Sequence, residues 1–223
     1  MKSTFLRARR PEQKQQRREA ILAAARELAL RDGVRNVTLG GVAVAVGLAK
    51  SNVVRYFDTR EEIFLVLAAE ELRAWGEELG GRLRAAAGAD EVIDAVAESL
   101  ADRPLLCDLA GHWSTSLEHN VSIEAAREFK TTTRTVVAEL AARCAAAYPG
   151  LAESEGVELI GGVLGFAAVL YPSVNPPPAL AALYAQEPEL AMYHDKPFAA
   201  QLRRVVQVLA AGLIATRDAG RER

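Results

Sequence analysis

The sequence predicts an all-α protein in which three N-terminal helices precede a larger C-terminal helical bundle. Alanine is abundant and runs of β-branched residues are short, which favours helix. Apolar residues recur with a helical period along most of the 223 residues, and 50% of all residues are hydrophobic. No stretch of the sequence alternates with a period of two for long enough to indicate a strand.

The N-terminal segment is polar and basic, and the first helix is predicted to follow it. We expect residues 1–17 to form a flexible basic arm. From about residue 18 the apolar residues fall on one helical face. These residues are Ile21, Leu22, Ala25, Leu28 and Ala29. Gly33 is typical of the position just past a helix end, so the first helix is predicted to end there.

Two short helices are predicted next, joined by a turn. Thr38 is a favourable N-cap for the second helix, and Gly47 ends that helix. The third helix is predicted over residues 50–57. Two short helices joined by a glycine-containing turn have the outline of a helix-turn-helix domain, here residues 18–58.

Residues 59–223 are predicted to form the helical bundle. Thr59 and Glu62 have the spacing of a capping box and begin a fourth helix that runs to about residue 79. Further helices are predicted over about 90–101, 104–117, 121–147, 154–171 and 196–217. The proline-rich segment 172–195 is predicted to be a loop with a short helix near residues 179–184.

Charge is divided unevenly along the chain. Residues 1–60 carry 13 Lys/Arg and 5 Asp/Glu, whereas residues 61–223 carry 14 and 24. A basic end on an acidic body indicates that one end meets a polyanion, although a solvated basic tail would have the same composition. The basic residues of the arm could track phosphates, enter a minor groove or remain idle. They are Arg7, Arg9, Arg10, Lys14, Arg17 and Arg18.

The third helix has the chemistry that reading a DNA groove requires. Such a helix needs short polar side chains at its N-terminal end, where they face base edges, and an apolar face that holds it to its scaffold. Lys50, Ser51 and Asn52 meet the first need. Val53 and Phe57, four residues apart, meet the second.

Two residues beside this helix suit a phosphate. Thr38 can offer its hydroxyl and backbone N–H at a helix N-terminus, where an anion is stabilised. Arg60 is a cation in the first turn of the fourth helix, where the helix dipole favours an anion. An external phosphate would explain that charge.

Residues 18–70 resemble the tetracycline-repressor (TetR) family of bacterial regulators. The resemblance rests on Gly33, Thr38, Ala43, Gly47, Leu48, Tyr56, Phe57 and the run Thr59-Arg60-Glu61-Glu62-Ile63. The rest of the chain matches the family only in outline. The resemblance implies a transcription regulator, usually a repressor, that binds a near-palindromic double-stranded DNA operator as a homodimer. A small hydrophobic or amphipathic effector would release it from the operator.

The resemblance also implies roles for individual residues. Thr38, Tyr56 and Arg60 fall where family members commonly contact phosphates. Positions at which family members reach bases or nearby phosphates are occupied here by Lys50, Ser51, Asn52 and Arg55. Val54 stands where the family often has an aromatic residue facing the DNA, and a valine there could touch a thymine methyl group.

Two apolar helix stripes are candidates for the dimer interface. TetR-like proteins generally dimerise through their last two long helices, which form a four-helix bundle. The first stripe comprises Val157, Ile160, Gly161, Leu164, Gly165 and Ala168. The second comprises Leu202, Val205, Val206, Leu209, Ala210 and Leu213. The alternative is that both stripes are internal core.

Family members usually bind their effector among the middle helices. The candidate pocket residues are mostly aromatic: His112, Trp113, Leu117, Phe129, Thr133, Phe166 and Tyr171. Aromatic residues there equally suit a packed core.

We expect no cofactor and no metal. The four candidate ligands Cys107, His112, His119 and Cys144 do not have a standard zinc spacing, and the cysteines suit a reduced, buried state. No nucleophile–base motif or phosphate loop indicates an enzyme. An enzyme and a helical scaffold protein are the rival hypotheses.

We expect no membrane partner. The longest uncharged apolar run, residues 159–171, is shorter than the ~18–20 residues that span a bilayer. The N-terminal segment is charged where a signal peptide would be apolar, so we expect a cytoplasmic protein.

Overall fold

The computed structural model describes residues 3–193 and 196–221, with side chains over 12–193 and 196–217. Within those ranges the chain is helical and contains no strand, which confirms the all-α prediction. The helices are α1 (Ser3–Asp32), α2 (Leu39–Ala45), α3 (Lys50–Val53), α4 (Arg60–Ala85), α5 (Ala89–Ala101), α6 (Pro104–His112), α7 (Ile123–Ala147), α8 (Glu153–Val174), α9 (Pro178–Gln186) and α10 (Phe198–Arg221). Turns of 3-10 helix lie at Val34–Asn36 and Pro188–Leu190, and a π-helical turn at Trp113–Leu117.

Helix α1 begins at Ser3, so the segment expected to be a flexible arm is helical. Residues 12–18 are Glu, Gln, Lys and Arg, all strong helix formers, and Gln15 donates a hydrogen bond to Glu19 one turn later. The side chains of Arg7, Arg9 and Arg10 lie outside the described residues. Gly33 ends α1 as predicted, with a φ of 82° that favours glycine.

The N-terminal domain packs α1, α2, α3 and the start of α4 around a small apolar core. Ile21 and Ala25 of α1, Val42 of α2 and Val53 of α3 are all fully buried. Helix α3 ends at Val53, four residues earlier than predicted, and the chain then turns so that the Phe57 N–H donates to the Val53 carbonyl. Phe57 is buried through this turn.

Helix α4 runs to Ala85 and passes through Gly80 and Gly81, where the sequence predicted a break. These glycines do not end the helix, because the chain uses small residues here for close approach to α7. A Cβ on Gly76 would lie 2.9 Å from the Val136 side chain. A Cβ on Gly80 would collide with the guanidinium group of Arg143.

The body surrounds one core to which α4, α5, α6, α7, α8 and α10 all contribute. Trp75 of α4 is fully buried, and its indole N–H donates to the hydroxyl of Ser99 on α5 at 3.0 Å. Helices α7 and α8 cross closely at Gly156, where a Cβ would lie 2.6 Å from the Ala141 carbonyl oxygen. The body is therefore a tightly packed bundle to which α4 connects the N-terminal domain.

Helices α8 and α10 are both long and strongly apolar. By length and composition alone each could cross a membrane, a test that core helices of water-soluble proteins also pass. Only 33% and 22% of their most apolar windows are buried within the chain. The two helices therefore carry apolar surface that the chain itself leaves uncovered.

Candidate nucleic-acid interface

Helices α2 and α3 form the predicted helix-turn-helix. The Thr38 hydroxyl accepts a hydrogen bond from the Gly41 N–H at 3.0 Å, which confirms Thr38 as the N-cap of α2. Gly47 has a φ of 64° and begins the turn. The Leu48 N–H then donates to the Ala43 carbonyl at 2.9 Å. These bonds fix the turn from which α3 starts.

One edge of α3 is polar and faces solvent. Lys50, Ser51, Asn52 and Arg55 are exposed, Val54 is 39% exposed, and Tyr56 is half-buried. Val53 and Phe57 point inward and are buried, as predicted. We name this exposed edge, residues 50–52 with 54 and 55, the reading edge. Its side chains are free of the core and available to a groove.

Helix α1 brings two further cations next to the reading edge. Lys14 and Arg17 line a polar cleft of about 520 Å³ together with Asn52, Arg55 and Tyr56. Arg18 instead turns inward and lies over the Phe57 ring, 4.9 Å from its centroid. The sequence assigned Lys14 and Arg17 to a flexible arm, although their spacing of three would have placed them on one helical face.

Arg60, for which the sequence predicted a phosphate contact, has its partners within the chain. Its guanidinium group donates to the carbonyls of Val34 and Val37, lies 3.1 Å from Glu61 and sits 4.7 Å from the Phe64 ring centroid. Its side chain is 19% exposed. The charge at the start of α4 is thus met by the carbonyls of Val34 and Val37 and by Glu61.

The junction between the N-terminal domain and the body is built on the start of α4. The Thr59 hydroxyl accepts from the Glu62 N–H at 3.1 Å and donates to the Asn120 carbonyl at 2.7 Å. The Glu62 carboxylate accepts from the backbone N–H groups of Asp58 and Ser122. One of the two hydrogen bonds of the predicted capping box forms, from the Glu62 N–H to the Thr59 hydroxyl. The Glu62 carboxylate does not bind the Thr59 N–H in return but accepts from the N-terminus of α7.

These bonds also set the ionisation of Glu62. Partial burial acts to raise the pKa of the Glu62 carboxyl, but the hydrogen bonds from Ser122 and Asp58 outweigh it. The net pKa lies below its ordinary value. Glu62 is therefore a carboxylate near neutral pH, suited to hold the α4 and α7 N-termini together.

Two more contacts join the N-terminal domain to the body. Asp108 of α6 accepts a hydrogen bond from the Val34 N–H at 2.7 Å. Arg26 of α1 pairs with Glu70, at 2.9 Å, and with Glu71. Glu71 also pairs with Arg103 at 3.4 Å, immediately before α6. The orientation of the N-terminal domain therefore depends on α4, α6 and α7 together.

The structure corrects part of the predicted dimer interface. Ile160, Leu164, Leu202, Val206 and Ala210 are 0–5% exposed and belong to the core, because these stripes pack α8 and α10 into the bundle. The remaining predicted residues are exposed or half-buried: Val157, Gly161, Gly165, Ala168, Val205, Leu209 and Leu213. The uncovered apolar surface lies beside them, at Phe166, Val169 and Val208.

The predicted effector-pocket residues have different surroundings in the folded chain. Trp113 packs edge-on against Phe129, with ring centroids 5.3 Å apart, while Leu117 and Phe129 are core. Tyr171 packs instead against Phe198 at 5.7 Å, and Phe166 lies 47% exposed on α8.

The two polar members of that set have local partners. The Thr133 hydroxyl donates to the carbonyl of Phe129 in its own helix. His112 lies 3.5 Å from Asp108. In the part of the chain with described side chains, the buried indole N–H of Trp113 has no hydrogen-bond partner.

Cys107 and Cys144 are buried, and burial raises the pKa of each thiol to about 12. Among the described residues no group of three or more His, Cys, Asp or Glu side chains is placed to hold a metal. Both thiols are therefore protonated, apolar members of the core near neutral pH.

A helix-turn-helix with an exposed polar reading edge, carried on a helical body, defines a class of DNA-binding regulator. The family of bacterial regulatory proteins of the tetR type matches residues 21–67, and the tetracyclin repressor-like C-terminal domain matches residues 69–217. The second match alone spans well over half of the chain. The chain belongs to the TetR family of transcriptional regulators, which are DNA-binding proteins rather than enzymes.

Solved structures of three FadR proteins share the fold. FadR from Bacillus subtilis in complex with stearoyl-CoA aligns with a TM-score of 0.56 and 16% identity, over 87% of this chain and 98% of that one. Thermus thermophilus FadR with lauroyl-CoA gives 0.55 and 18%, over 86% and 92%. The fatty acid degradation regulator FadR from Bacillus halodurans gives 0.52 and 14%, over 86% and 94%. No curated protein matches the chain in sequence.

Proposed function

We propose that this protein is a dimeric repressor that binds a near-palindromic operator and is released from it by a small amphipathic effector. The observation that carries the proposal is the reading edge, in which polar side chains stand exposed over the buried anchors Val53 and Phe57. A helix held in this way presents its N-terminal side chains to base edges when it enters a major groove.

The contacts divide into base readers and phosphate binders. Lys50, Ser51, Asn52, Val54 and Arg55 face the bases, and Asn52 has the amide that pairs with adenine in two hydrogen bonds. The phosphate binders are Thr38, Tyr56, Lys14 and Arg17. Arg17 and Lys14 replace Arg60 in this role, because they share a cleft with the reading edge whereas Arg60 binds backbone carbonyls.

Dimerisation would cover the apolar surface of α8 and α10. Phe166 and Val169 of α8 and Val208 of α10 are 47%, 62% and 49% exposed in the single chain. A second copy packed on this face would form a four-helix bundle and remove the surface from water. Two N-terminal domains would then face one DNA duplex with half-sites about 34–36 Å apart. We expect this dimer in the cytoplasm.

The effector would act through the junction. Two of the structural neighbours hold acyl-CoA thioesters, which are amphipathic, and we expect a ligand of similar character here. A ligand that favours another arrangement of α4, α6 and α7 would change the position of each N-terminal domain through Glu62–Ser122 and Asp108–Val34. Operator affinity then falls by a factor set by the ratio of the effector's affinities for the two helix arrangements.

The test is selection of bound duplexes from random DNA, followed by affinity measurements on the selected site. We expect a near-palindrome. Asn52→Ala should cost about 1–3 kcal/mol and relax specificity at one position in each half-site. Arg134→Ala on the exposed face of α7 is the charge-matched control for Lys50→Ala and Arg55→Ala. If Lys50→Ala and Arg55→Ala leave the affinity unchanged, the protein is a helical scaffold and the proposal fails.

A further inference from the structure

A groove between α4 and α7, lined mostly by charged and hydroxyl-bearing residues, has no role in the function proposed so far. Its volume is about 500 Å³. Three arginines line it, Arg73 and Arg84 from α4 and Arg143 from α7. Three hydroxyl groups of α7 also line it, those of Thr131, Thr132 and Thr135.

The arginines stand out against an acidic body. Residues 61–223 carry 24 acidic and 14 basic side chains, yet three arginines meet at this groove. Elsewhere on α4 arginine is paired closely, as in Arg82 with Glu78 at 2.7 Å. In the groove Arg73 is 3.4 Å from Glu128, Arg143 is 3.9 Å from Glu139, and Arg84 makes no ion pair with any described side chain. These guanidinium groups retain donors for another anion.

The threonines supply further donors. Thr131, Thr132, Thr133 and Thr135 crowd one stretch of α7, although threonine is a weak helix former. Thr133 bonds to its own helix, and the other three line the groove. The Thr132 hydroxyl accepts from Arg73 at 2.8 Å, which leaves its proton to donate to a bound oxyanion.

Gly80 determines where Arg143 lies. The Arg143 guanidinium group crosses the backbone of α4 at this glycine, so closely that a Cβ would lie 1.7 Å from one of its nitrogens. Arg143 therefore reaches the groove through the space that the Cβ of an alanine at position 80 would occupy. Substitution of Gly80 would displace this guanidinium group without removing its charge.

We propose that the α4–α7 groove binds the phosphorylated polar part of the effector. Three guanidinium groups and three hydroxyls offer more donors than one carboxylate can accept, and suit the larger set of oxygens on a phosphoester. Glu77 and Glu139 also line the groove and would accept from hydroxyl or amino groups of the same ligand. The proposal rests on the repressor function and identifies the polar half of its effector.

The groove is placed to act on the N-terminal domain. Gly76 lies 16 residues after Arg60 on the same helix, so a ligand here is about 24 Å from the junction. Helices α4 and α7 are also tied together at their N-termini through Glu62 and Ser122. A ligand bridging the two helices at mid-length would change the angle at which α4 meets the junction.

Calorimetric titration of the full-length protein with ADP, coenzyme A and inorganic pyrophosphate tests the proposal. We expect binding of at least one probe that weakens as salt rises. The double variant Arg84→Gln/Arg143→Gln should bind that probe at least tenfold more weakly, since it removes two charged groups of hydrogen-bond donors. Gly80→Ala should also weaken binding while retaining the charge and the helix.

Arg134→Gln, on the same helix but outside the groove lining, is the charge-matched control and should bind like the wild type. Unchanged binding by both the double variant and Gly80→Ala overturns the proposal, as does the absence of binding for all three probes. Operator affinity is measured in parallel without any probe. A protein that binds its operator but no probe disproves the groove alone, whereas one that binds no duplex disproves the repressor function.

Discussion

At the scale of single residues, Arg60 is a cation at a helix N-terminus whose charge is satisfied by groups of the chain itself. Its side chain binds the Val34 and Val37 carbonyls and stacks on Phe64, and it is mostly buried. Removing the charged donor of a buried carbonyl costs more free energy of unfolding than removing the donor of an exposed carbonyl. Arg60 therefore contributes to the stability of the N-terminal domain, and its effect on DNA binding should be indirect.

Arg60→Ala should lower the free energy of unfolding by about 2 kcal/mol, because two backbone carbonyls lose a charged donor. Urea denaturation followed by circular dichroism measures this loss. Arg55→Ala is the matched control, since Arg55 is exposed, and it should reduce DNA affinity while leaving stability within about 0.5 kcal/mol of wild type. Equal stability of the two variants would show that the carbonyl contacts contribute nothing.

Glu62 gives the stability of the junction a defined pH dependence. Its pKa is below the ordinary value of 4.5 in the folded chain, so the unfolded chain takes up a proton first as the pH falls. The stabilisation is fully present above about 4.5 and is lost as the pH falls through the folded pKa. The advantage of the wild type over Glu62→Gln should therefore shrink between pH 6 and pH 3, as measured by urea denaturation. An advantage that stays constant over this range would contradict the junction described above.

Residues whose partners are close in sequence could be predicted, and those with distant partners could not. Thr38 and Thr59 each cap a helix by accepting a hydrogen bond from the N–H group three residues later in the sequence. The polar and apolar sides of α3 likewise follow from local spacing. Arg60 has its carbonyl partners 23 and 26 residues away, so the sequence could not distinguish them from a phosphate.

At the scale of helices, the positions of the elements and several of their ends were predictable, but an end set by packing was not. The predicted helices over 90–101 and 121–147 match α5 (Ala89–Ala101) and α7 (Ile123–Ala147) closely. The sequence predicted that α4 would end before Gly80, since glycine is costly inside a helix. Packing against α7 outweighs that cost, and packing is a property of the folded chain.

Gly156→Ala tests this account of close helix approach. An added Cβ would lie 2.6 Å from the backbone of Ala141, so α7 and α8 would have to separate, at a cost of about 1–3 kcal/mol. Gly81→Ala is the control within α4, because its Cβ would approach only the end of Arg84, at 3.8 Å. That variant should gain about 0.5–1 kcal/mol in helix propensity. Thermal denaturation of both variants should give shifts of opposite sign.

At the scale of the whole molecule, α8 and α10 carry apolar surface that the packing of the single chain leaves exposed. The sequence predicted both helices as an interface but could not tell which of their apolar residues the bundle would bury, such as Ile160 and Val206. The outward stripe differs from the inward one by a fraction of a turn, and both contain apolar residues.

Val169→Glu should convert the proposed dimer to a monomer at micromolar concentration, because an unpaired carboxylate would be buried in the proposed interface. Light scattering coupled to size exclusion measures the mass. Ile123→Glu is the control, as Ile123 is 70% exposed at the start of α7, where a carboxylate is favourable. A Val169→Glu variant that keeps both the dimer mass and operator affinity would place the interface elsewhere.

The central claim is that the reading edge of α3, flanked by Lys14 and Arg17, binds duplex DNA. Its most direct test is the affinity of the purified protein for its selected duplex as a function of salt. We predict a steep linear fall of log K with log salt, since each neutralised phosphate contributes a slope of about −0.9, and a shallower fall for Lys14→Ala/Arg17→Ala. An affinity that does not change with salt, or a double variant with the same slope as wild type, would contradict the claim.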